Sequence, residues 1–130
     1  MNDASPVAKK ILVVEDDQYL RELYIDILEN EKYLVEHAAD GEEGYQKMFA
    51  GGYDLVLLDI MLPKMDGLKI LEKLKKETPP TQPNKAIVVL TNIDQETSIT
   101  QAISLGAKGY MIKSEYTPDQ VIAKIKEYLA

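Results

Sequence analysis

The stretch GYDLVLLDIMLPKMDG, Gly52 to Gly67, decides how the rest of the chain is read. Leu55-Val56-Leu57-Leu58 is an apolar run with the length of a buried strand, and it leads straight into Asp59. Aiming a carboxylate out of the end of a core strand brings no packing gain and costs solvation. The run therefore raises two expectations: a strand inside a sheet, and a carboxylate set at its end for chemistry.

Toward the N-terminus, Ile11-Leu12-Val13-Val14 is a second run of this kind, without polar alternation, as a strand covered on both faces requires. It ends in Glu15-Asp16-Asp17. A helix is predicted from about Gln18 to Asn30, because Leu20, Leu23, Tyr24, Ile27 and Leu28 follow the spacing of one buried face. A short strand is expected near Tyr33 to His37. Asp40-Gly41 then supplies a turn and a capping carboxylate for a helix whose Tyr45, Met48 and Phe49 share a face, ended by Gly51-Gly52.

Toward the C-terminus, Gly67 opens a helix with Leu68, Leu71 and Leu74 inward, running to about Glu77. The prolines of TPPTQPN, Thr78 to Asn84, forbid helix and central strand and predict a surface connection. Ala86 to Leu90 reads as the fourth strand, ending at Thr91. The fourth helix, near Gln95 to Leu105, stops at Gly106, a C′ glycine. Tyr110-Met111-Ile112 is a short fifth strand ending at Lys113. Thr117 caps a last helix that carries Val121, Ile122, Ile125, Tyr128 and Leu129.

Five strands, each followed by a helix, imply an α/β fold: a doubly wound five-stranded parallel sheet with helices on both faces. Right-handed crossovers leave few topologies, and the order 2-1-3-4-5 suits five short units. Residues 1–9 are expected to be a flexible or disordered N-terminal extension and 10–130 the domain.

Composition narrows the function classes. The chain has 130 residues, 45% of them apolar and 28% charged, and suits one soluble globular domain. No apolar run approaches the roughly 20 residues that span a bilayer. The polar start MNDASPVAKK lacks the apolar segment of a secretory signal, which makes a cytoplasmic location the expectation. Without cysteine there is no disulfide, thiolate metal site or cysteine nucleophile. His37 is the single histidine and is expected to be structural or exposed. A net charge of −7 argues against nucleic-acid backbone as the domain's own ligand.

In a sheet of this order the site lies beyond the carboxyl ends of the strands, where strands 1 and 3 diverge. Strand 1 ends there in Glu15, Asp16 and Asp17, strand 3 in Asp59, strand 4 in Thr91 and strand 5 in Lys113. Crowded carboxylates repel one another, and a hard divalent cation removes that cost. Oxygen donors without His or Cys favour Mg²⁺, which keeps waters and completes its shell with phosphate oxygens. Singly, each residue has an ordinary reading: Asp17 caps a helix, Thr91 caps another, Lys113 is solvated. Their convergence on one rim is what points to a phosphoryl group.

The constellation resembles the response-regulator receiver domains of two-component signalling, a flavodoxin-like fold, and the resemblance covers about Lys10 to Leu129. It is carried by ILVVEDD, DLVLLDIMLPKMDG, VVLT and GAKGYMIK, in that order. The resemblance implies a phosphorylation-activated switch and not an enzyme in the ordinary sense: Asp59 accepts phosphoryl from a sensor histidine kinase or a histidine phosphotransfer protein. It implies that the domain catalyses its own Mg²⁺-dependent phosphorylation and slow dephosphorylation. Asp16 would be the direct Mg²⁺ ligand, Glu15 would act through water, Asp59 would contribute its carboxylate, and Met61 its backbone carbonyl. Thr91 and Lys113 would hold phosphoryl oxygens, and Tyr110 would move inward on activation. A downstream protein would read the face made by the fourth helix, fifth strand and fifth helix; neither nucleic acid nor membrane is implied as a direct partner. Asp17 lies one place past the acidic pair and keeps its capping reading.

Three features depart from the family pattern. Ser114 follows Lys113 where proline is usual, so a trans Lys113–Ser114 bond is expected. Asn92 stands where a small residue is usual, with bulk that could narrow access to Asp59. The connection around Thr78 to Asn84 is longer than is common. Met61 and Ile93, both apolar, flank the expected approach of water and predict slow loss of phosphoryl. Three rival functions fit these residues less well. A haloacid-dehalogenase-like phosphatase wants a second aspartate two places after Asp59, where Met61 stands. A flavin carrier wants a hydroxyl- and glycine-rich loop where EDDQY stands. A receiver-shaped adaptor that takes no phosphate is opposed by the intact Asp16, Asp59, Thr91 and Lys113. The chain suits either a single-domain regulator or a fragment of a longer protein.

Overall fold

The computed structural model describes residues 8–77 and 82–130. Five strands and five helices alternate: β1 Lys10–Val14, α1 Gln18–Asn30, β2 Leu34–Ala38, α2 Gly41–Ala50, β3 Leu55–Leu58, α3 Gly67–Lys76, β4 Ile87–Thr91, α4 Glu96–Ser104, β5 Gly109–Ile112 and α5 Pro118–Leu129. The strands form one parallel sheet in the order β2-β1-β3-β4-β5, as the sequence predicts.

Strand alternation divides the core into two layers. Leu12, Val14, Val56, Leu58 and Val89 face α2, α3 and α4, where Met48, Ile70, Leu71 and Ala102 are buried. Ile11, Val13, Leu55, Leu57, Val88 and Leu90 face α1 and α5, against Tyr24, Leu28, Val121, Ile122 and Ile125. Because both faces are covered, β3 and the inner positions of β1 and β4 are apolar throughout, whereas the edge strand β2 carries Glu36 and the exposed His37.

The helix ends follow the capping residues. Asp17, Asp40 and Asp66 each accept a backbone N–H of the first turn. Thr117 and Gln120 exchange bonds in a capping box at α5. After α4, Gly106 takes φ 110°, the left-handed geometry that closes the helix.

Several side chains differ from expectation. Phe49 is 39% exposed; Met48 takes the buried place on α2, while Phe49 rests against the Tyr45 ring at 6.0 Å. On α3 the fully buried pair is Ile70 and Leu71, with Leu68 and Leu74 only partly covered. Tyr128, expected inward on α5, sits at the rim, 36% exposed, its hydroxyl over Gly109 where any Cβ would clash. His37 is exposed, as expected. Of the flexible extension expected over residues 1–9, residues 1–7 lie outside the described residues, as do residues 78–81 of the Thr78–Asn84 connection. Lys9 is tied to the sheet edge by its carbonyl, which accepts from the Leu34 N–H at 2.9 Å. Gln82 bridges Gly51.

Candidate phosphoryl-acceptor site

Sheet register brings the acidic residues together. Val14 of β1 pairs with Leu58 of β3, so the residues that follow, Glu15 and Asp59, emerge side by side. The Asp59 N–H donates to the Val14 carbonyl at 3.1 Å, and the Glu15 N–H to the Ala38 carbonyl at 3.1 Å. Both carboxylates are buried, 3% and 4% exposed, whereas Asp16 turns outward to solvent. Ligand oxygens of Glu15, Asp16 and Asp59 nevertheless lie within 4.8 Å of one another.

Lys113 comes in from β5, two strand spacings from β3, and its stem crosses the end of β4 to reach the acids. Its Nζ lies 2.7 Å from Asp59 Oδ2 and 2.7 Å from Glu15 Oε1. Burial would lower the lysine's pKa, but the bonds and charges of Asp59 and Glu15 outweigh it and raise the pKa. Burial pushes Glu15 the other way for a carboxyl group, upward, and Lys113 offsets only part of that rise. The remaining oxygens are also engaged. Asp59 Oδ1 accepts from the Met61 N–H at 3.0 Å, and Glu15 Oε2 from the Asp17 N–H at 3.1 Å.

The loop between β3 and α3 is held from two sides. Gly67 lies so close that a Cβ would come within 2.5 Å of the Asp59 carbonyl, and its N–H donates to the Ile60 carbonyl. Gly41, at the start of α2, donates to the Pro63 carbonyl at 3.0 Å, and a Cβ there would collide with the Met65 carbonyl. These are close approaches that only glycine allows. They fix the backbone that presents Asp59 and Met61.

Thr91 is fully buried at the end of β4, and its hydroxyl accepts from the Ile93 N–H at a long 3.5 Å. The carbonyl of the same residue, Ile93, accepts from the Tyr110 hydroxyl at 2.8 Å. Thr91 and Tyr110 are therefore joined through one residue's backbone. Tyr110 is half-buried, and burial, then the charges of Asp59 and Asp94, raises its pKa and keeps it a donor.

Of the predicted set, the structure brings together Glu15, Asp16, Asp59, Met61 and Lys113, and it links Thr91 to Tyr110. Asp17 caps α1, accepting from the Leu20 N–H at 2.9 Å. Asn92 is exposed. The Lys113–Ser114 peptide is trans, and the chain turns through a short 3₁₀ segment, Lys113–Glu115. Met61 is 60% exposed and, with Ile93, Asp16, Leu62 and Leu68, lines an open groove of about 560 Å³ beside the acids. The acidic, oxygen-only donor set with one buried cation beside it fits a hard divalent ion.

Sequence reading missed two residues at this rim. Arg21 on α1 reaches the carbonyls of Glu15 and Asp16. Tyr24, read only as a core residue, lies beside Glu15 and Asp59 in a small cavity, its pKa raised by burial. Arg21 carries one available signal, being the sole arginine among 15 basic residues. Tyr24 carries none, because its spacing is that of any core aromatic.

Fold and rim together define a class: doubly wound α/β domains whose acidic, lysine-bearing site sits at the switch point of the sheet. The chain belongs to the response regulator receiver domain family, whose model matches residues 11–126. Members of this family are phosphorylation-activated switches in two-component signalling. It is 33% identical to the transcriptional regulatory protein SrrA of Staphylococcus aureus over 125 residues, 95% of this chain and 48% of SrrA. The chain thus spans about half the length of the curated relatives it matches. Among solved structures, a CheY-like receiver domain from Methanospirillum hungatei superposes with a TM-score of 0.83 at 34% identity, covering 95% of this chain and 94% of that one. The response regulator TrrA of Thermotoga maritima, in complex with Mg²⁺–BeF, gives 0.74 at 35% identity, covering 93% and 99%. Among the described residues no helix is long and apolar enough to cross a membrane.

Proposed function

We propose that Asp59 is the phosphoacceptor, taking phosphoryl from a histidine kinase or histidine phosphotransfer protein in the cytoplasm. The observation that carries this reading is the shared ammonium: Lys113 Nζ lies 2.7 Å from both Asp59 and Glu15. A single cation between two buried carboxylates leaves negative charge uncompensated once Asp16 is counted. Asp16, Asp59 and the Met61 carbonyl would hold Mg²⁺, with Glu15 acting through water. Bound there, the ion would neutralise charge on the phosphoryl oxygens during transfer.

The chain's own groups do the rest. An Asp59 carboxylate oxygen attacks the phosphorus of a phosphohistidine. The O–P bond forms as the P–N bond breaks, and the imidazole leaves with the electron pair. Lys113 keeps its proton and can follow the charge from Asp59 Oδ2 to a phosphoryl oxygen. The Met61 N–H fixes the carboxylate's rotation through Oδ1, so the attacking geometry is set beforehand.

The same contacts support a switch. A phosphoryl group on Asp59 would give the Thr91 O–H an acceptor to donate to, whereas the hydroxyl oxygen now only accepts a long bond from the Ile93 N–H. Drawing Thr91 inward displaces Ile93, and with it the acceptor of the Tyr110 hydroxyl. The signal would then pass to a downstream protein on the α4, β5 and α5 face. This is a local charge event biasing a two-state element.

Intact-mass measurement after incubation with acetyl phosphate and Mg²⁺ tests the assignment. The expected result is one phosphoryl on the wild type and none on Asp59→Asn. Equal labelling of the two proteins overturns it.

A further inference from the structure

We infer that Arg21 is a positioning residue for the cation site, holding the turn between β1 and α1 in the form that presents Glu15 and Asp16. The inference rests on the proposed Mg²⁺-dependent reading and deepens it. Arg21 Nη1 donates to the Glu15 carbonyl at 2.8 Å and to the Asp16 carbonyl at 3.3 Å. One nitrogen thus ties together the backbone of both residues whose side chains differ most in the site, one buried and one exposed.

The rest of the turn explains why such a tie is needed. Glu15 is anchored at its N–H to β2, and Asp17 is anchored by its cap to α1. Asp16 lies between these anchors with its side chain in solvent, and Arg21 is the side chain that holds its carbonyl. A divalent ion needs the Asp16 oxygen kept near those of Asp59 and Glu15, and outer groups that orient a ligand commonly set affinity. Apart from His37, every other basic residue in the chain is lysine. A guanidinium is planar, weakly hydrated and permanently charged, which suits a half-buried bridge to two carbonyls better than an ammonium does.

Charge and positioning make opposite predictions here. A fixed cation near the site repels Mg²⁺, so if charge alone mattered its removal would tighten binding. If Arg21 positions the turn, its removal weakens binding despite the lost repulsion.

The test is calorimetric titration of the full chain with Mg²⁺ for the wild type, Arg21→Met and Arg21→Lys, at a temperature where each is folded by circular dichroism. Weakening by about tenfold is expected for Arg21→Met, with Arg21→Lys falling between it and the wild type. A merely structural role would lower the melting temperature and leave the dissociation constant of the folded protein unchanged. Unchanged or tighter binding in Arg21→Met overturns the inference. If Arg21→Met does not fold, Arg21→Lys decides alone, weaker binding supporting the inference and equal binding overturning it. A wild type that binds no Mg²⁺ is a separate result, which removes the proposed function and this inference with it.

Discussion

The two ends of the sheet handle charge in opposite ways. At the amino end, Lys10 Nζ lies 3.0 Å from Glu36, which also accepts from the Tyr53 hydroxyl at 2.7 Å. Lys85 lies 3.2 Å from Asp54, which accepts the Lys10 N–H at 2.8 Å. Each carboxylate there has its own cation, and most of the charged side chains are partly in water. At the carboxyl end, three carboxylates face one ammonium, and Glu15 and Asp59 are buried. A balanced, wet end is built for stability. An end left with surplus buried negative charge is poised to bind something positive, and the imbalance is the mark of function.

The strongest way to break this contrast is Lys113→Met. Removing one partner of a buried ionic group strands the other, at about 3 kcal/mol or more. Urea unfolding without divalent ions should show a loss of that size. Lowering the pH should recover part of it, because Glu15, already pushed upward by burial, would take a proton readily. Unchanged stability would mean that solvent, not Lys113, balances the rim.

Within the acidic run, Asp16→Asn should weaken Mg²⁺ binding by about tenfold, and Asp17→Asn should leave it nearly unchanged. Asparagine keeps the cap that Asp17 provides. Titration of the two variants compares them directly, and a larger effect at Asp17 would move the ligand assignment one residue along.

At the amino end the effects should be smaller. Tyr53→Phe deletes one hydrogen bond from a carboxylate that still has Lys10, a cost of about 1 kcal/mol, and it should not alter phosphoryl labelling. The Tyr53 bond, followed by Lys10, holds the Glu36 pKa below its ordinary 4.5. A depressed carboxyl pKa contributes stability above the unfolded value and loses it as pH falls through the folded one. The cost of Tyr53→Phe should therefore be full at neutral pH and fade below about pH 4.5. A cost that grows on acidification would refute the pairing.

The smallest expected effect concerns the lifetime of the phosphoryl group. Met61 and Ile93 line the groove beside the acids and cannot orient water. Introducing Met61→Asn with Ile93→Glu should speed loss of phosphoryl by roughly threefold, under 1 kcal/mol of barrier. Following the decay of phosphorylated protein by mass, with Mg²⁺ present, measures it. Equal rates would show that the apolar pair does not set the lifetime.

Much of this was legible in the sequence, and the reasons are local. Apolar runs such as Leu55–Leu58 have too few polar residues to be anything but doubly covered strands. Caps at Asp17, Asp40 and Thr117 act within one helical turn, so neighbouring residues suffice to predict them. The five strand–helix units then leave little topological choice. Side chains at helix margins were less legible: Phe49 and Met48 differ by one position, and only the packing of α2 on the sheet decides which is covered.

What the sequence determined by itself was the fold, its order, and the acids, threonine and lysine that end the strands at the carboxyl edge. Tertiary structure alone decided how they differ. Glu15 and Asp16 are adjacent acids in the chain, yet the pairing of Val14 with Leu58 turns the first in against Asp59 and leaves the second in water. Lys113 has two carboxylate partners because its stem crosses the end of β4. Arg21 reaches two carbonyls from the first turn of α1, and Thr91 and Tyr110 share Ile93 because β4 and β5 lie side by side. Sequence patterns report short-range periodicity and capping; distances between residues far apart in the chain exist only once the sheet has set its register.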